Sequence, residues 1–305
     1  MAMEAQAIAA TDAELGLELA TAPRGMFRRA WEVFAENKLA LAGVAFVIFI
    51  LLFCFVGPHL YVTNQVDTNL INTLCPPSST NLLGCDELGY DQLGRLMVGG
   101  QTSLEVGLAA AVVSVLFGTL YGAISGFAGG LVDSVMMRVV DAGLSLPSLM
   151  VIIILSVIFH PTPEVIIFII AIFYWFGVAR LVRGETLALR TREYVQAVKV
   201  IGGRPMRSVL RHIVPNAIGT IIVQATFAVA DSILTLSVLG FLTLGVAPPN
   251  TDWGSMLSGG LQFMQGGNYW WLIYPPGVLI VLTCISFNFI GDALRDAFET
   301  RLQRR

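Results

Sequence analysis

Six long apolar runs, separated by polar breaks, organise the chain. They lie at about Leu39–Val56, Ser103–Phe127, Val135–Phe159, Val165–Val182, Ala217–Val246 and Tyr269–Ile290. Each approaches or exceeds the roughly 20 apolar residues that carry a helix across a bilayer. In lipid the backbone must satisfy its own hydrogen bonds, and uninterrupted runs exclude the alternating strands of a barrel. The pattern predicts an all-α membrane protein of six transmembrane helices. The organisation that follows is an N-terminal arm over 1–38, a first span over 39–57, and a loop over 58–102. A five-helix core over 103–290 then contains two long breaks, at 184–216 and 247–268, and a tail covers 291–305. Pro147 sits inside the third run.

Composition agrees with this pattern and adds a direction. The chain has 305 residues, 55% hydrophobic and 13% charged, with a mean hydropathy of +0.74. Soluble domains carry about a quarter charged residues. A net charge of −3 gives no basic excess for a nucleic-acid partner. The placement of charge is more informative than its sum. Of the 18 Lys and Arg residues, all but Arg95 fall on one side of a six-span path: the arm, the turn after the second span, the 184–216 break with its flanks, and the tail. The positive-inside bias predicts that both termini and that break are cytoplasmic. The first 22 residues hold four acidic and no basic groups, so they lack the n-region of a secretory signal and predict a mobile arm.

Four cysteines divide by place. Cys54 and Cys284 fall inside spans and read as small apolar packing residues. Cys75 and Cys85 share the first predicted external loop, "CPPSSTNLLGC", ten positions apart; spacing alone leaves both a disulfide and two thiols open. In the other external loop, "WGSMLSGGLQFM" reads as a short interfacial or re-entrant helix. Tyr269, Trp270 and Trp271 read as an interface belt, and Trp253 as either anchor or contact residue.

Within the spans, Gly118, Gly122 and Gly126 recur at every fourth position, a face for close helix packing within the bundle or against a second subunit. Charges at such depth are functional candidates by default. Glu105 reads as lying within a turn of the external interface, and Arg138 and Asp141 as a local pair. Asp231, near the midpoint of the fifth span, either lines a polar translocation path or is satisfied by Ser232, Thr235 or a neighbouring helix. No phosphate loop, zinc-spaced His-Glu pair or G-x-S-x-G elbow occurs, which argues against an enzyme.

The break "REYVQAVKVIGGRPMRSVLRHIVPN", Arg192–Asn216, has its own pattern. Arg192, Gln196 and Lys199 share one helical face and Val195, Val198 and Ile201 another. Gly202-Gly203 closes that helix, Pro205 opens a second, and Pro215 ends it. A helix–hinge–helix with an apolar stripe suits either anionic lipid or a groove on a soluble partner.

The stretch resembles the "EAA" coupling motif of ABC-importer permeases of the peptide type (dipeptide, oligopeptide and nickel). The likeness rests on Glu193-Tyr194-Val195, Ala197, Gly202 and His212-Ile213-Val214-Pro215-Asn216. "LGCDELGYDQLGRLMVGGQTSL" is similar to the family's "LGTDxLGRDxLSRLxxGxRxSL". Further blocks, "GFAGGLVDSVMMRVVDAGLSLPSLM", "FLTLGVAPPNTDWGSML" and "FNFIGDALRDAFETR", follow in family order to the C-terminus. Three positions depart: Gln196 replaces the usual glutamate, Val198 the second alanine, and Leu236 a frequent acidic residue.

The resemblance implies a type I importer permease in the bacterial plasma membrane that forms half of a path for peptides. It implies contact with an ATPase through Glu193, Tyr194, Gln196, Ala197, Val200, Ile201 and Gly202. It also implies a second homologous permease, two ATP-binding subunits or one fused ATPase chain, an external substrate-binding protein, and membrane lipid. The chain itself would bind no cofactor, ATP and Mg being used by the partner subunits. A secondary transporter and a lipid-binding scaffold are the alternatives.

Overall fold

In the computed structural model, residues 26–299 are described apart from 64, 66, 160, 201–204 and 264–266. Twelve helices follow in order among them: α1 Met26–Glu36, α2 Lys38–Phe55, α3 Gly57–Leu60, α4 Gln92–Ala128, α5 Gly130–Ser145, α6 Ser148–Ile158, α7 Pro163–Leu189, α8 Glu193–Val200, α9 Pro205–Ser208, α10 Ile218–Phe241, α11 Trp253–Leu261 and α12 Trp270–Glu299. A π-helical turn, Val209–Ile213, extends α9. The predicted short helix after "APPNTD" is α11.

Five helices, α2, α4, α7, α10 and α12, are long and apolar enough to cross a membrane. The remaining apolar run is not one rod. At Pro147 the third predicted span breaks into α5 and α6, which meet at 81°. Proline has no N–H and disfavours helical backbone in the residue before it, and Leu146 accordingly has φ −83°, ψ 140°. Other boundaries move as well. α4 starts at Gln92 rather than Ser103, so part of the expected loop is helix. α12 runs on to Glu299, through much of the expected tail. Glu105 is more than about three turns inside α4, with its side chain exposed. The expected Arg138–Asp141 pair is absent, since Asp141 pairs with Arg180 of α7.

The glycines of α4 turn inward against α7. A Cβ on Gly118 would stand 2.7 Å from the Trp175 carbonyl oxygen, on Gly122 2.2 Å from that of Ala179, and on Gly126 2.9 Å from that of Arg183. Packing this close needs the absence of a side chain, so the repeat serves the interior of the bundle. Val178 and Val182 of α7 join Ala111, Val115 and Ala123 of α4 in the main core, with Ile221, Ala228 and Ile233 of α10. Cys54 lies in the same core and is fully buried, as read from sequence.

Two ends of the bundle differ in construction. At the loop end, Asp91 caps α4 by accepting from Gly94 N at 2.8 Å. Asp86 accepts from Leu88 N and Tyr90 N and pairs with Arg95 at 3.6 Å. Burial pushes the Asp86 carboxyl above its ordinary range. Gly89, at φ +80°, leaves no room for a Cβ, which would sit 1.9 Å from the Asn69 oxygen. Cys75 and Cys85 form a disulfide in this cap. The Cys85 carbonyl accepts from Trp271 Nε1 at 3.2 Å. Trp271 is thus a buried anchor of the cap as well as an aromatic near a helix start. Its own carbonyl would normally receive the N–H four residues on, but that residue is Pro275. Gln92 Nε2 donates there instead, at 3.2 Å. Trp253 at the start of α11 is fully buried, donating Nε1–H to the Leu96 carbonyl at 3.0 Å. That makes it a packing residue of the loop end, neither a membrane-interface anchor nor a ligand contact. Asp252 caps α11 through Gly254 N and Ser255 N, and its near-complete burial raises its carboxyl's pKa.

The opposite end carries most of the basic residues. Phe34 of α1 packs there with Ala293 and Ala297 of α12, and Asn37 caps α2 by accepting from Leu39 N and Ala40 N. Arg183 of α7 grips Asp133 of α5 with two bonds of 2.6 Å.

Candidate functional site

The helix–hinge–helix segment lies at the basic end. Its first helix, α8, begins at Glu193 as the apolar periodicity predicts. Val195 is buried at 3% exposure, whereas Val200 is 88% exposed. Tyr194, Met206 and Leu210 are exposed too. The segment is therefore anchored by one valine, and Ser208, Val209 and Ile213 anchor its second limb. Between the anchors, apolar side chains face outward. Of the predicted contact residues, Glu193, Tyr194, Gln196 and Val200 lie on the accessible surface of this helix. Ile201 and Gly202, with the side chain of Ala197, lie outside the described residues.

Gln196 folds back on the bundle. Its Nε2 donates to the Arg190 carbonyl at 3.0 Å, and Arg190 Nη1 donates to the Gly126 carbonyl at 2.9 Å. α8 is thereby linked to the end of α4 through the last residues before it. A cleft of about 380 Å³ opens beside this link, lined by Phe127, Gly129, Gly130, Thr191, Val195 and Gln196. The turn between α4 and α5 requires glycine, with φ of +67° and +57° at Gly129 and Gly130. Sequence reading missed this link because Arg190 and Gly126 stand 64 positions apart, and a glutamine at a position expected to hold glutamate was the one visible signal. Glutamate at 196 could only accept. Gln196→Glu is therefore expected to free α8 from the Arg190 carbonyl, with faster hydrogen exchange across Glu193–Val200 as the measurement.

The second sequence candidate, Asp231, occupies the middle of α10 with its side chain exposed. The same strip of α10 holds Thr220 and Gln224, at separations of four and seven that repeat on one helical face. Thr220 Oγ1 donates to Glu185 of α7 at 3.3 Å. Beside Asp231, the Tyr174 hydroxyl of α7 donates to the Asp231 carbonyl at 3.3 Å and shares a 2.5 Å bond with Thr235 Oγ1. Ser232, one of the partners considered for Asp231, points the other way and is fully buried. At the loop end, a smaller cleft of about 290 Å³ runs past Asp86, Glu87, Arg95 and Thr251. Among the described residues, no three His, Cys, Asp or Glu side chains gather to hold a metal.

A helix pair bent at Pro147, the glycine-packed pair α4–α7 and the exposed short helices α8 and α9 at the basic end form the frame of this fold. In keeping with this, the fold matches the inward-facing MetNI methionine ABC transporter, with a TM-score of 0.54 at 18% identity over 66% of this chain and 95% of that one. Residues 118–304 match the model for the binding-protein-dependent transport system inner membrane component, and residues 25–77 that for the N-terminal transmembrane domain of oligopeptide transport permease C. The chain is 38% identical over 275 residues to the dipeptide transport system permease protein DppC of Bacillus subtilis, covering 90% of this chain and 86% of that protein. It is 39% identical over 271 residues to the oligopeptide permease OppC of the same organism, covering 89% and 88%. The OppC protein of Escherichia coli K12 is 38% identical over 280 residues, covering 91% and 92%.

The chain belongs to the family of binding-protein-dependent transport system inner membrane components. It is a multi-pass inner-membrane permease subunit with the type I ABC importer fold. Membership sets aside the stand-alone secondary transporter and the lipid-binding scaffold.

Proposed function

We propose that this permease carries peptides inward and is driven by ATP hydrolysis in separate subunits docked on α8. The relatives named above are dipeptide and oligopeptide permeases, which supports the substrate class. The charge bias along the chain supports a cytoplasmic basic end, where the ATP-binding subunits and their Mg and ATP would lie. A second homologous permease completes the path, and an external substrate-binding protein delivers to the loop end. In this reading the strip of α10 with Asp231 faces the path.

One observation carries the coupling role. α8 is held by buried Val195 yet leaves Val200 at 88% exposure, together with exposed Tyr194. Exposed apolar anchors on a short helix suit insertion into a groove on a partner. Movement of that groove during nucleotide turnover would then bias the bundle between inward- and outward-facing states. Glu193, Tyr194, Gln196, Ala197, Val200, Ile201 and Gly202 are the contact set.

The test is ATP turnover by the purified assembly with and without Gly202→Asp, which puts a branched charge where the motif places glycine. Turnover stimulated by the loaded binding protein should fall at least about tenfold, or the ATP-binding subunits should fail to copurify. Unchanged turnover together with unchanged subunit composition would remove the coupling assignment.

A further inference from the structure

We propose that Asp231 is an ammonium-binding residue of the translocation path, taking the cationic amino end of a passing peptide. The inference rests on the peptide reading above and extends it to a named subsite.

The placement of Asp231 limits what it can face. It lies near the middle of α10, a helix of 24 residues, and its side chain is exposed on the surface of this chain. A carboxylate at that depth does not face hydrocarbon, where an ionised group is costly. The exposed strip therefore meets water or another polypeptide. Its other members point to water. Thr220 and Gln224 precede Asp231 on the same face, with Phe227 between Gln224 and Asp231, and together they span about 17 Å along the helix at 1.5 Å per residue. Glu185 touches the Thr220 end of this line, and the Tyr174 hydroxyl sits beside the Asp231 end. The remaining polar side chains of α10 differ in placement, since Ser232, Thr235 and Ser237 are buried while Asp231 is exposed.

The carboxylate also lacks a cation. Among the described residues, Asp86, Asp133 and Asp141 each pair with an arginine, and Asp231 pairs with none. The Tyr174 hydroxyl donates to the backbone oxygen of Asp231 and shares a bond with Thr235 Oγ1, so it does not neutralise the side chain. The charge is thus available to a transient ligand. A peptide presents two charged ends, and of these only the α-ammonium is complementary to a lone carboxylate with hydroxyl and amide neighbours. Because Asp231 is exposed, its attraction is moderate, as a path requires: a substrate must be able to leave as well as enter.

The test uses the whole transporter in proteoliposomes with its own binding protein, and compares uptake of trialanine and N-acetyl-trialanine. Asp231→Asn should lower trialanine uptake about tenfold, the scale of one charge-assisted hydrogen bond, and leave N-acetyl-trialanine unaffected. Asp231→Glu should restore most of the difference. A second measurement does not depend on delivery by the binding protein. Leu234, exposed one turn along, is changed to cysteine in a chain with Cys54 and Cys284 replaced by alanine, and its reaction with a charged thiosulfonate is timed. Trialanine at millimolar concentration should slow that reaction when Asp231 is present and not in Asp231→Asn.

Equal loss of both substrates, or protection independent of Asp231, overturns the ammonium assignment while leaving peptide transport intact. Loss of the second permease from purified Asp231→Asn would place the residue at the interface between permeases, and overturns it likewise. Failure of the unsubstituted transporter to move either peptide would overturn the substrate reading itself.

Discussion

Gly122→Val is expected to unseat α4 from α7 and leave little folded permease. A Cβ at this position would lie 2.2 Å from the Ala179 carbonyl oxygen and 3.0 Å from Arg183 N. Both are backbone atoms of a helix, so no side chain can rotate away to make room. Valine adds two further methyl groups in the same direction. Overpacking by a methylene or two in a yielding core costs about 1–3 kcal/mol. This site cannot yield without separating two helices along the glycine face, so the loss should exceed about 3 kcal/mol. In lipid no hydrophobic force compensates, because the separated faces meet chains as apolar as themselves. The measurement is the midpoint of thermal loss of the monodisperse peak in detergent. Gly122→Ala should show a smaller drop of the same sign, and an unshifted midpoint in the valine variant would contradict the packing described.

Trp253→Ala should be nearly as damaging, for the opposite physical reason. The indole is fully buried between α4 and the start of α11, against the Gly100 position, where a Cβ would come within 2.7 Å of it. Truncating it to alanine leaves a large cavity, and such changes cost about 3–5 kcal/mol. The Leu96 carbonyl also loses the indole N–H. Trp253→Phe keeps much of the volume and loses that bond, so it should fall between the two, about 1 kcal/mol below the parent plus a repacking cost. Thermal midpoints of the three proteins order the terms. A phenylalanine variant as unstable as alanine would make the hydrogen bond, not the volume, the dominant contribution.

These two residues show how unevenly the sequence discloses the molecule. The spacing of Gly118, Gly122 and Gly126 announces a close-packing face, because small residues at every fourth position have few other uses in an apolar helix. Which helix receives that face is not a local property, and α7 became evident only in three dimensions. Trp253 had no such signal. It stands in a stretch rich in Pro, Gly and polar residues, without periodicity, and its partners Leu96 and Ser103 are about 150 positions away. Hydropathy located the spans but misplaced the start of α4, since Gln92, Arg95, Gly99 and Gly100 dilute its first turns, although the Asp91 cap and the Asp86–Arg95 pair make them helical. The proline at 147 was visible inside the third run, while the 81° bend it produces was not. Charge patterning misassigned Asp141, because Arg138 is its near neighbour in sequence and Arg180 its partner across helices. The Arg192–Asn216 segment was more legible. Its first helix and second limb follow from apolar spacing and Pro205, while Gly202-Gly203 lies outside the described residues. The Gln196 link to Arg190 was beyond reach, since an amide and an acid at one position look alike until a carbonyl is placed opposite.

The cap at the loop end joins parts of the chain that are synthesised far apart. Trp271 donates to the Cys85 carbonyl, and Gln92 donates to the Trp271 carbonyl that Pro275 leaves open, across separations of 186 and 179 residues. A ribosome delivers the first of these partners into the membrane well before the last. Until α12 is inserted, the disulfide-bearing loop and the first turn of α4 have an acceptor and a donor without their mates. The permease therefore completes its loop end only when its last long helix arrives, and a chain stalled short of Trp271 lacks both bonds.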